Sequence, residues 1–173
     1  VTLYSRFIAG NVPASCNLPT GLGKTNVIAV WLIALAAGAN VPRRLVYVVN
    51  RRTVVDQTTN EAIKLRDNAA KAGIGKPAIS TLRGQFADNH EWSVDPSRPA
   101  IICGTVDMIG SRLLFGGYRI GFKSRPLHAG FLGQDALLVH DEAHLEPAFQ
   151  KLIEAIQCEQ DRCKEFARFQ VMA

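Results

Sequence analysis

Short apolar segments alternate with longer amphipathic segments along the chain. The short segments are rich in Val, Ile and Leu and are bounded by turn residues, as buried strands are, whereas the long ones repeat apolar residues at helical spacing. The predicted strands are Ser15–Leu18, Leu45–Val49, Ala78–Leu82, Ala100–Cys103 and Ala136–His140. The predicted helices are Lys24–Ala37, Thr53–Ala72, Val106–Phe115 and Glu146–Phe166. This alternation predicts an α/β fold with a mostly parallel sheet and helices on both faces.

Two stretches interrupt the alternation, and we expect surface loops there. Gly84–Pro99 is polar, and Gly116–Gly133 is rich in glycine and basic residues. The apolar residues Phe169–Ala173 follow a charged helix and predict a strand that has just begun. We therefore expect residues 1–173 to form one domain of a longer, truncated chain.

The composition shows an excess of basic residues and excludes several classes of protein. The chain has 20 Lys and Arg against 15 Asp and Glu, and its net charge of +5 is compatible with a polyanionic partner. Hydrophobic residues at 47% exclude a disordered chain, and the longest apolar run, Val27–Ala37, is too short to span a membrane. The four cysteines form no C-x-x-C pair and the chain does not open with a secretory pattern, so we expect a cytoplasmic protein without a zinc site.

A glycine-rich segment, N-L-P-T-G-L-G-K-T at Asn17–Thr25, joins a predicted strand to a predicted helix. In such a loop, backbone N–H groups and the helix N-terminus surround a phosphate. We expect Lys24 to reach the β and γ phosphates of ATP and the Thr25 hydroxyl to bind Mg²⁺. The candidate nucleotide-binding residues are Pro19, Thr20, Gly21, Leu22, Gly23, Lys24 and Thr25. Leu18 departs from the general phosphate-loop pattern, which has Gly there, and a glycine-rich turn with a solvated lysine is the alternative.

An acidic motif, D-E-A-H, follows the last long apolar strand directly. Open α/β sheets bind ligands at the carboxyl ends of their strands, so Asp141 is a candidate Mg²⁺ ligand and Glu142 a candidate for orienting the attacking water. His144 is a candidate for coupling the nucleotide to a neighbouring domain. The alternative is a solvated helix start capped by Asp141. His140 and Asp141 also form a His-Asp pair like those of metal-dependent nucleases, but the further histidines of such a site are missing, so we interpret His140 as a strand residue.

With both motifs placed, nearly the whole chain resembles the first RecA-like domain of the CRISPR-associated helicase of type I interference, most closely its I-U (I-G) form. The segments that carry the resemblance are LPTGLGKT at Leu18–Thr25, VYVVNRRTVVDQ at Val46–Gln57, LRG at Leu82–Gly84, DPSRPAIICGTVDMIGSRLLFGGYR at Asp95–Arg119 and AGFLGQDALLVHDEAHLEPAF at Ala129–Phe149. The two motifs alone identify a superfamily 2 ATPase, and the other segments narrow the resemblance to the CRISPR-associated helicase.

The resemblance implies a RecA-like P-loop NTPase fold and an ATP- and Mg²⁺-dependent motor. In that family, this domain and a second RecA-like domain hold ATP between them and pull single-stranded DNA with 3′-to-5′ polarity. An HD nuclease domain degrades the strand, and a guide-RNA effector complex recruits the enzyme. Neither partner domain is visible in residues 1–173.

Candidate DNA contacts lie after three predicted strands and match nucleic-acid motifs of the same family. They are Asn50, Arg51, Arg52, Arg83, Gly84, Gly104, Thr105 and Asp107. A motor that does not depend on sequence contacts the phosphate backbone through such loops, while the alternative is helix capping or solvated charge. Arg112 and Arg119 are weaker candidates. Trp31 is expected in the core, and Trp92 is the better exposed aromatic, although anchoring its loop is the favoured role for it.

Three other functions stay open at this stage. A repair or restriction helicase shares both motifs, and the neighbouring genes would separate it from a CRISPR enzyme. A P-loop kinase of a small molecule would typically lack D-E-A-H and would carry its own lid. A nucleotide-gated binding module that never hydrolyses ATP is the third, because the arginine finger should come from the second domain.

Overall fold

A single parallel sheet organises the chain in the computed structural model, which describes residues 2–16, 23–83, 91–95, 97–165, 167 and 169–173. Its strands are β1 (Arg44–Val49), β2 (Ala78–Leu82), β3 (Ala100–Thr105), β4 (Ala136–His140) and β5 (Gln170–Met172). The strand order is β2-β3-β1-β4-β5, and every neighbouring pair is parallel. Four of the five predicted strands are confirmed, and so is the short strand expected near Phe169.

Helices cover both faces of this sheet, as predicted. They are α1 (Thr2–Ile8), α2 (Val27–Ala36), α3 (Arg52–Lys71), α4 (Glu91–Val94), α5 (Val106–Leu113), α6 (Arg125–Gly133) and α7 (Pro147–Cys163). Alternate residues of β1 enter different cores, because strand side chains point to opposite faces in turn. Leu45 and Tyr47 pack with α1, α2 and α3, whereas Val46 and Val48 pack with α4, α5, α6 and α7.

Several helices end earlier than the apolar pattern predicts. The predicted helix Val106–Phe115 stops at Leu113, and Phe115 has a left-handed backbone with φ of 57°. The predicted helix Glu146–Phe166 is α7, which starts at Pro147 and stops before Lys164, a residue with φ of 56°. A residue with left-handed backbone angles cannot continue a right-handed helix. Phe115 and Lys164 therefore limit how far the two helices extend.

The predicted loops Gly84–Pro99 and Gly116–Gly133 are wrong in part, because each contains a helix. In α4, Trp92 is buried, and its backbone N–H donates to the Ser80 hydroxyl of β2 at 3.2 Å. In α6, Phe131 and Leu132 are buried against the sheet. Tertiary burial therefore stabilises helices that the polar and glycine-rich sequence does not signal.

The first predicted strand, Ser15–Leu18, is only partly described, since Asn17 and Leu18 lie outside the described residues. Ser15 and Cys16 are not assigned to a strand. The Cys16 N–H nevertheless donates to the Ala173 carbonyl at 2.9 Å, and the Ala173 N–H donates to the Ala14 carbonyl at 3.0 Å. These are the two bonds that a parallel ladder makes around one residue, so this segment runs beside the end of β5.

Candidate nucleotide-binding site

The carboxyl ends of β1 and β4 meet at one edge of the sheet and border a cleft of about 480 Å³. Residues from both sequence motifs line it: Gly23, Lys24, Asp141, Glu142 and His144, together with Tyr47. The fold therefore brings the end of the glycine-rich segment to the acidic motif, as the sequence predicts.

Gly23 turns the chain into the helical segment that carries Lys24 and Thr25. Its φ is 78°, and a Cβ atom added there would lie 2.6 Å from the Asn26 amide nitrogen, so a side chain does not fit without a shift. Lys24 then opens a single 3₁₀ turn, Lys24–Asn26, which leads into α2. Glycine is needed here for its left-handed backbone conformation, since the Asn26 amide is the movable end of a side chain and could make room.

An ion pair joins the two motifs across the cleft. The Lys24 ammonium lies 3.3 Å from the Asp141 Oδ1 atom, and both side chains are largely buried. The backbone N–H of Asp141 donates to the Val48 carbonyl at 3.0 Å, so the central strand fixes the start of the motif.

Tyr47 holds the other oxygen of the same carboxylate. Its hydroxyl donates to Asp141 Oδ2 at 3.1 Å and also accepts a hydrogen bond from Thr25. Burial and, secondly, the charge of Asp141 raise the pKa of the Tyr47 phenol, so the hydroxyl stays protonated and remains a donor. Tyr47 therefore contacts both residues that the sequence proposes as Mg²⁺ ligands.

This arrangement suits a hydrated Mg²⁺ ion bound with a nucleotide. Mg²⁺ keeps several waters and takes few protein ligands, so one carboxylate and one hydroxyl suffice. The Lys24 ammonium already places a cation beside Asp141 Oδ1. Among the described residues, no group of three or more His, Cys, Asp or Glu is placed to hold a metal ion.

Glu142 and His144 follow Asp141 in a tight turn. Glu142 has a left-handed backbone with φ of 56°, and Ala143–Leu145 form a 3₁₀ turn in which the Leu145 N–H donates to the Glu142 carbonyl at 2.9 Å. A left-handed glutamate costs about 1–2 kcal/mol and persists only where the surroundings hold it. The turn places both residues on the cleft.

His140 also borders the cleft, but its ring packs toward α7. It is buried, its Nδ1 atom is 2.9 Å from the Gln150 amide oxygen, and its ring meets Phe149 edge-on at 4.9 Å. These contacts anchor α7, and they confirm that His140 is a strand residue.

The candidate DNA contacts form a neighbouring row along the same edge, because β2, β3 and β1 are adjacent. Arg51, Arg52 and Asp107 are exposed and Asn50 is half-buried. Arg83 follows β2 and forms an ion pair with Asp56 of α3, so its charge is partly compensated.

Gly104 and Thr105 form the end of β3. A Cβ atom on Gly104 would lie 2.9 Å from the Ile109 side chain and 3.1 Å from the Leu82 carbonyl, so the glycine is required for packing. Thr105 is buried at the start of α5, and within the described part of the chain its side chain makes no capping hydrogen bond. Thr105 is nevertheless the N-cap residue of α5, so its position agrees with the capping alternative.

Several other candidates do not lie at this edge or cannot be placed. Trp92 is buried against His128 and Phe131, with ring centroids 5.0 Å apart in both pairs, so it is not an exposed aromatic and anchors its segment instead. Trp31 is in the core, as predicted, and Arg112 is buried and donates to the Met108 carbonyl. Pro19, Thr20, Gly21, Leu22 and Gly84 lie outside the described residues.

Sequence reasoning missed Tyr47. The strand alternation could have placed its ring on the α2 face, but its partners depend on the register between strands, which pairs Tyr47 with Val139. Because Tyr47 lies opposite Val139, its phenol lies beside Asp141, which follows Val139 by two residues.

A parallel sheet with helices on both faces and a lysine–aspartate pair at its carboxyl edge defines a RecA-like P-loop domain. The family model described as "Type III restriction enzyme, res subunit" matches residues 5–165, so the chain belongs to that family. It is a helicase-type, nucleotide-binding motor domain of superfamily 2. A search of curated proteins gives no match. Within the described residues, no helix has the length and apolar character that crossing a membrane requires.

Proposed function

We propose that this chain is the first of two RecA-like domains of an ATP-driven motor that moves along single-stranded DNA and serves type I CRISPR interference. The 3.3 Å contact between Lys24 and Asp141 carries the motor part of the proposal, because it joins the phosphate-binding and acidic motifs in one cleft. Membership of a helicase-type family supports the same conclusion. The CRISPR role is supported by the resemblance of the segments between the motifs.

Each side chain of the cleft has a separate task in this proposal. Bound ATP with Mg²⁺ supplies the phosphoryl group and the cation that neutralises its charge. Lys24 would exchange its bond to Asp141 for bonds to the phosphates, and the Asp141 carboxylate and the Thr25 hydroxyl would hold the hydrated cation. Glu142 orients the attacking water and accepts its proton.

Nucleotide binding tests the assignment of the cleft. Lys24→Ala should remove most of the Mg²⁺-dependent affinity for a fluorescent ADP analogue, because the ammonium is the phosphate ligand. Lys64→Ala is the matched control, since Lys64 is an exposed lysine of α3 paired with Glu61. Unchanged affinity in the Lys24 variant would contradict the proposed site.

Turnover tests the division of the active site between two domains. The chain by itself should hydrolyse ATP very slowly, since a missing arginine finger costs about 10³–10⁵ in rate in related sites. Joined to the second RecA-like domain, it should hydrolyse ATP faster when single-stranded DNA is added, and Glu142→Gln should abolish this activity while nucleotide still binds. Rapid DNA-stimulated turnover by the 173-residue chain alone would contradict the division.

The biological role needs a separate experiment. The full protein should bind a type I effector complex that has opened its target DNA, and it should not bind the complex without target. A restriction or repair motor with the same motifs would translocate on DNA without such recruitment, and this result would overturn the CRISPR assignment alone.

A further inference from the structure

The chain between Asp107 and Asp135 contains no acidic residue, although it includes four of the basic ones. Arg112 is buried, whereas Arg119 and Lys123 are exposed and Arg125 is half-buried. This stretch therefore carries four positive charges and no negative one, and three of its cations are at least partly exposed. A local concentration of cations of this kind attracts a polyanion.

Large apolar side chains lie exposed among these cations. Tyr118 is 62% exposed and Phe122 is 82% exposed, and Leu114 and Phe115 are more than half exposed. The Arg125 guanidinium lies 5.8 Å from the centre of the Phe122 ring. We call residues 114–125 the aromatic–basic segment.

The segment is held in place by its own packing. Gly117 has φ of 98°, and a Cβ atom there would collide with the Ile120 side chain and lie 3.2 Å from Arg112. The Gly116 N–H donates to the Ser111 carbonyl at 2.8 Å, and Phe122–Ser124 form a 3₁₀ turn that leads into α6. The exposed rings are therefore presented on an anchored loop.

The contacts of α6 show which edge of the sheet the aromatic–basic segment lies nearer to. Phe131 packs on Arg44, the first residue of β1, and also on Trp92, while His128 packs on the same Trp92, whose N–H donates to Ser80. The last residue of α6, Gly133, lies close before Ala136, which begins β4 opposite Arg44 at the amino edge of the sheet. Ser80 lies, through the strand register, two positions nearer the carboxyl edge than Arg44 does. The first residues of α6, and the aromatic–basic segment before them, therefore lie nearer the carboxyl edge of the sheet than the last residues of α6 do. That edge carries Arg83, Gly104 and Thr105.

We propose that the aromatic–basic segment extends the row of candidate DNA contacts along the carboxyl edge of the sheet. Bases of single-stranded DNA stack on Tyr118 and Phe122, and Lys123 and Arg125 neutralise its phosphates. This inference rests on the proposed function and adds a second contact surface to it. Aromatic side chains interleaved with cations fit unpaired bases on a charged backbone. Duplex DNA offers no free base faces, and an acidic protein segment would use the cations but leave the rings without a specific partner.

The test compares a short DNA strand with an abasic strand of the same length. Tyr118→Ala combined with Phe122→Ala should weaken binding of the normal strand at least about fivefold per ring, the lower limit for base–aromatic stacking. Binding of the abasic strand should not change. Tyr4→Ala is the control, because Tyr4 is an exposed tyrosine on α1, on the other face of the sheet.

Two further measurements separate stacking from charge and from misfolding. Tyr118→Phe with Phe122→Tyr should bind like the parent, since both rings are kept. Lys123→Ala should lower the slope of log affinity against log salt by about 0.7 on both strands.

The outcomes distinguish this inference from the proposed function. Parent-like binding by the double alanine variant, or an equal loss on the abasic strand, overturns the stacking surface while nucleotide binding and the Arg51 and Arg52 contacts stand. A parent chain that binds a poly-glutamate peptide through these rings, and no DNA, overturns both.

Discussion

Replacing Tyr47 by Phe removes one hydroxyl group and leaves the ring that fills the core below the acidic motif. The ring is buried, so its packing is kept, whereas Asp141 Oδ2 loses its 3.1 Å hydrogen bond and Thr25 loses an acceptor. The carboxylate is then free to turn both oxygens toward Lys24, which lies 3.3 Å from Oδ1. We expect Lys24 to be held more firmly away from the phosphates.

The size of the effect follows from the exposure of the carboxylate. A hydrogen bond to a charged group contributes about 1.5–3 kcal/mol when it is buried. The side chain of Asp141 is 18% exposed, so water replaces part of the lost bond and the lower end applies. About 1.4 kcal/mol corresponds to a tenfold change, and we expect Mg²⁺-dependent ADP affinity to fall by roughly this factor.

Titration of fluorescent ADP at several Mg²⁺ concentrations measures this effect. In the variant, the Mg²⁺ concentration at half-saturation should rise, and the weak affinity measured without Mg²⁺ should also fall, because Lys24 is held away from the phosphates. Tyr118→Phe is the control for loss of a phenol at an exposed position. An unchanged Mg²⁺ dependence in Tyr47→Phe would refute a positioning role for the phenol, and urea unfolding would show whether only stability had changed.

Three further predictions concern other parts of the domain. Replacing Arg51 and Arg52 by Ala should lower the salt slope of single-strand binding by about 1.4, because each neutralised phosphate contributes about 0.7; equal slopes would mean that both are solvated surface charges. Gly23→Ala should lower the free energy of urea unfolding by about 1–2 kcal/mol, since its φ of 78° is left-handed. Burial raises the pKa of Cys103 from 9.0 to about 12, so the native thiol keeps a proton that the unfolded chain releases. Stability should therefore fall as pH rises above about 9, by up to about 1.4 kcal/mol per pH unit, and Cys103→Ala should flatten this dependence in urea unfolding between pH 9 and 12.

Strands were the predictable part of this fold, because a parallel strand covered on both faces is a continuous apolar run. Ala78–Leu82 and Ala136–His140 coincide with the predicted strands. Helix α6 was not predictable in the same way, since Gly130 and Gly133 lower the helix propensity of its sequence. Its stability comes from the burial of Phe131, which depends on contacts distant in sequence.

The candidate site, like the fold, has a part that the sequence predicts and a part that depends on contacts distant in sequence. Lys24, Asp141 and Glu142 belong to motifs in which residue type and spacing predict the chemistry, and the fold brings them to one cleft. The pairing of Arg83 with Asp56 and of Tyr47 with Asp141 follows from register and helix placement, which local sequence does not determine.

The central position of β1 has a mechanical consequence. Its backbone is hydrogen-bonded to β3 on one side and β4 on the other, and all six of its residues are buried. Sliding this strand would break both ladders at once, so its amides should be among the slowest in the domain to exchange with deuterium. Tyr47 lies on this stiff element, and Asn50 follows its last residue, Val49. A change at the nucleotide therefore reaches the neighbouring loops through rotating side chains and turns, while the sheet itself acts as a fixed frame.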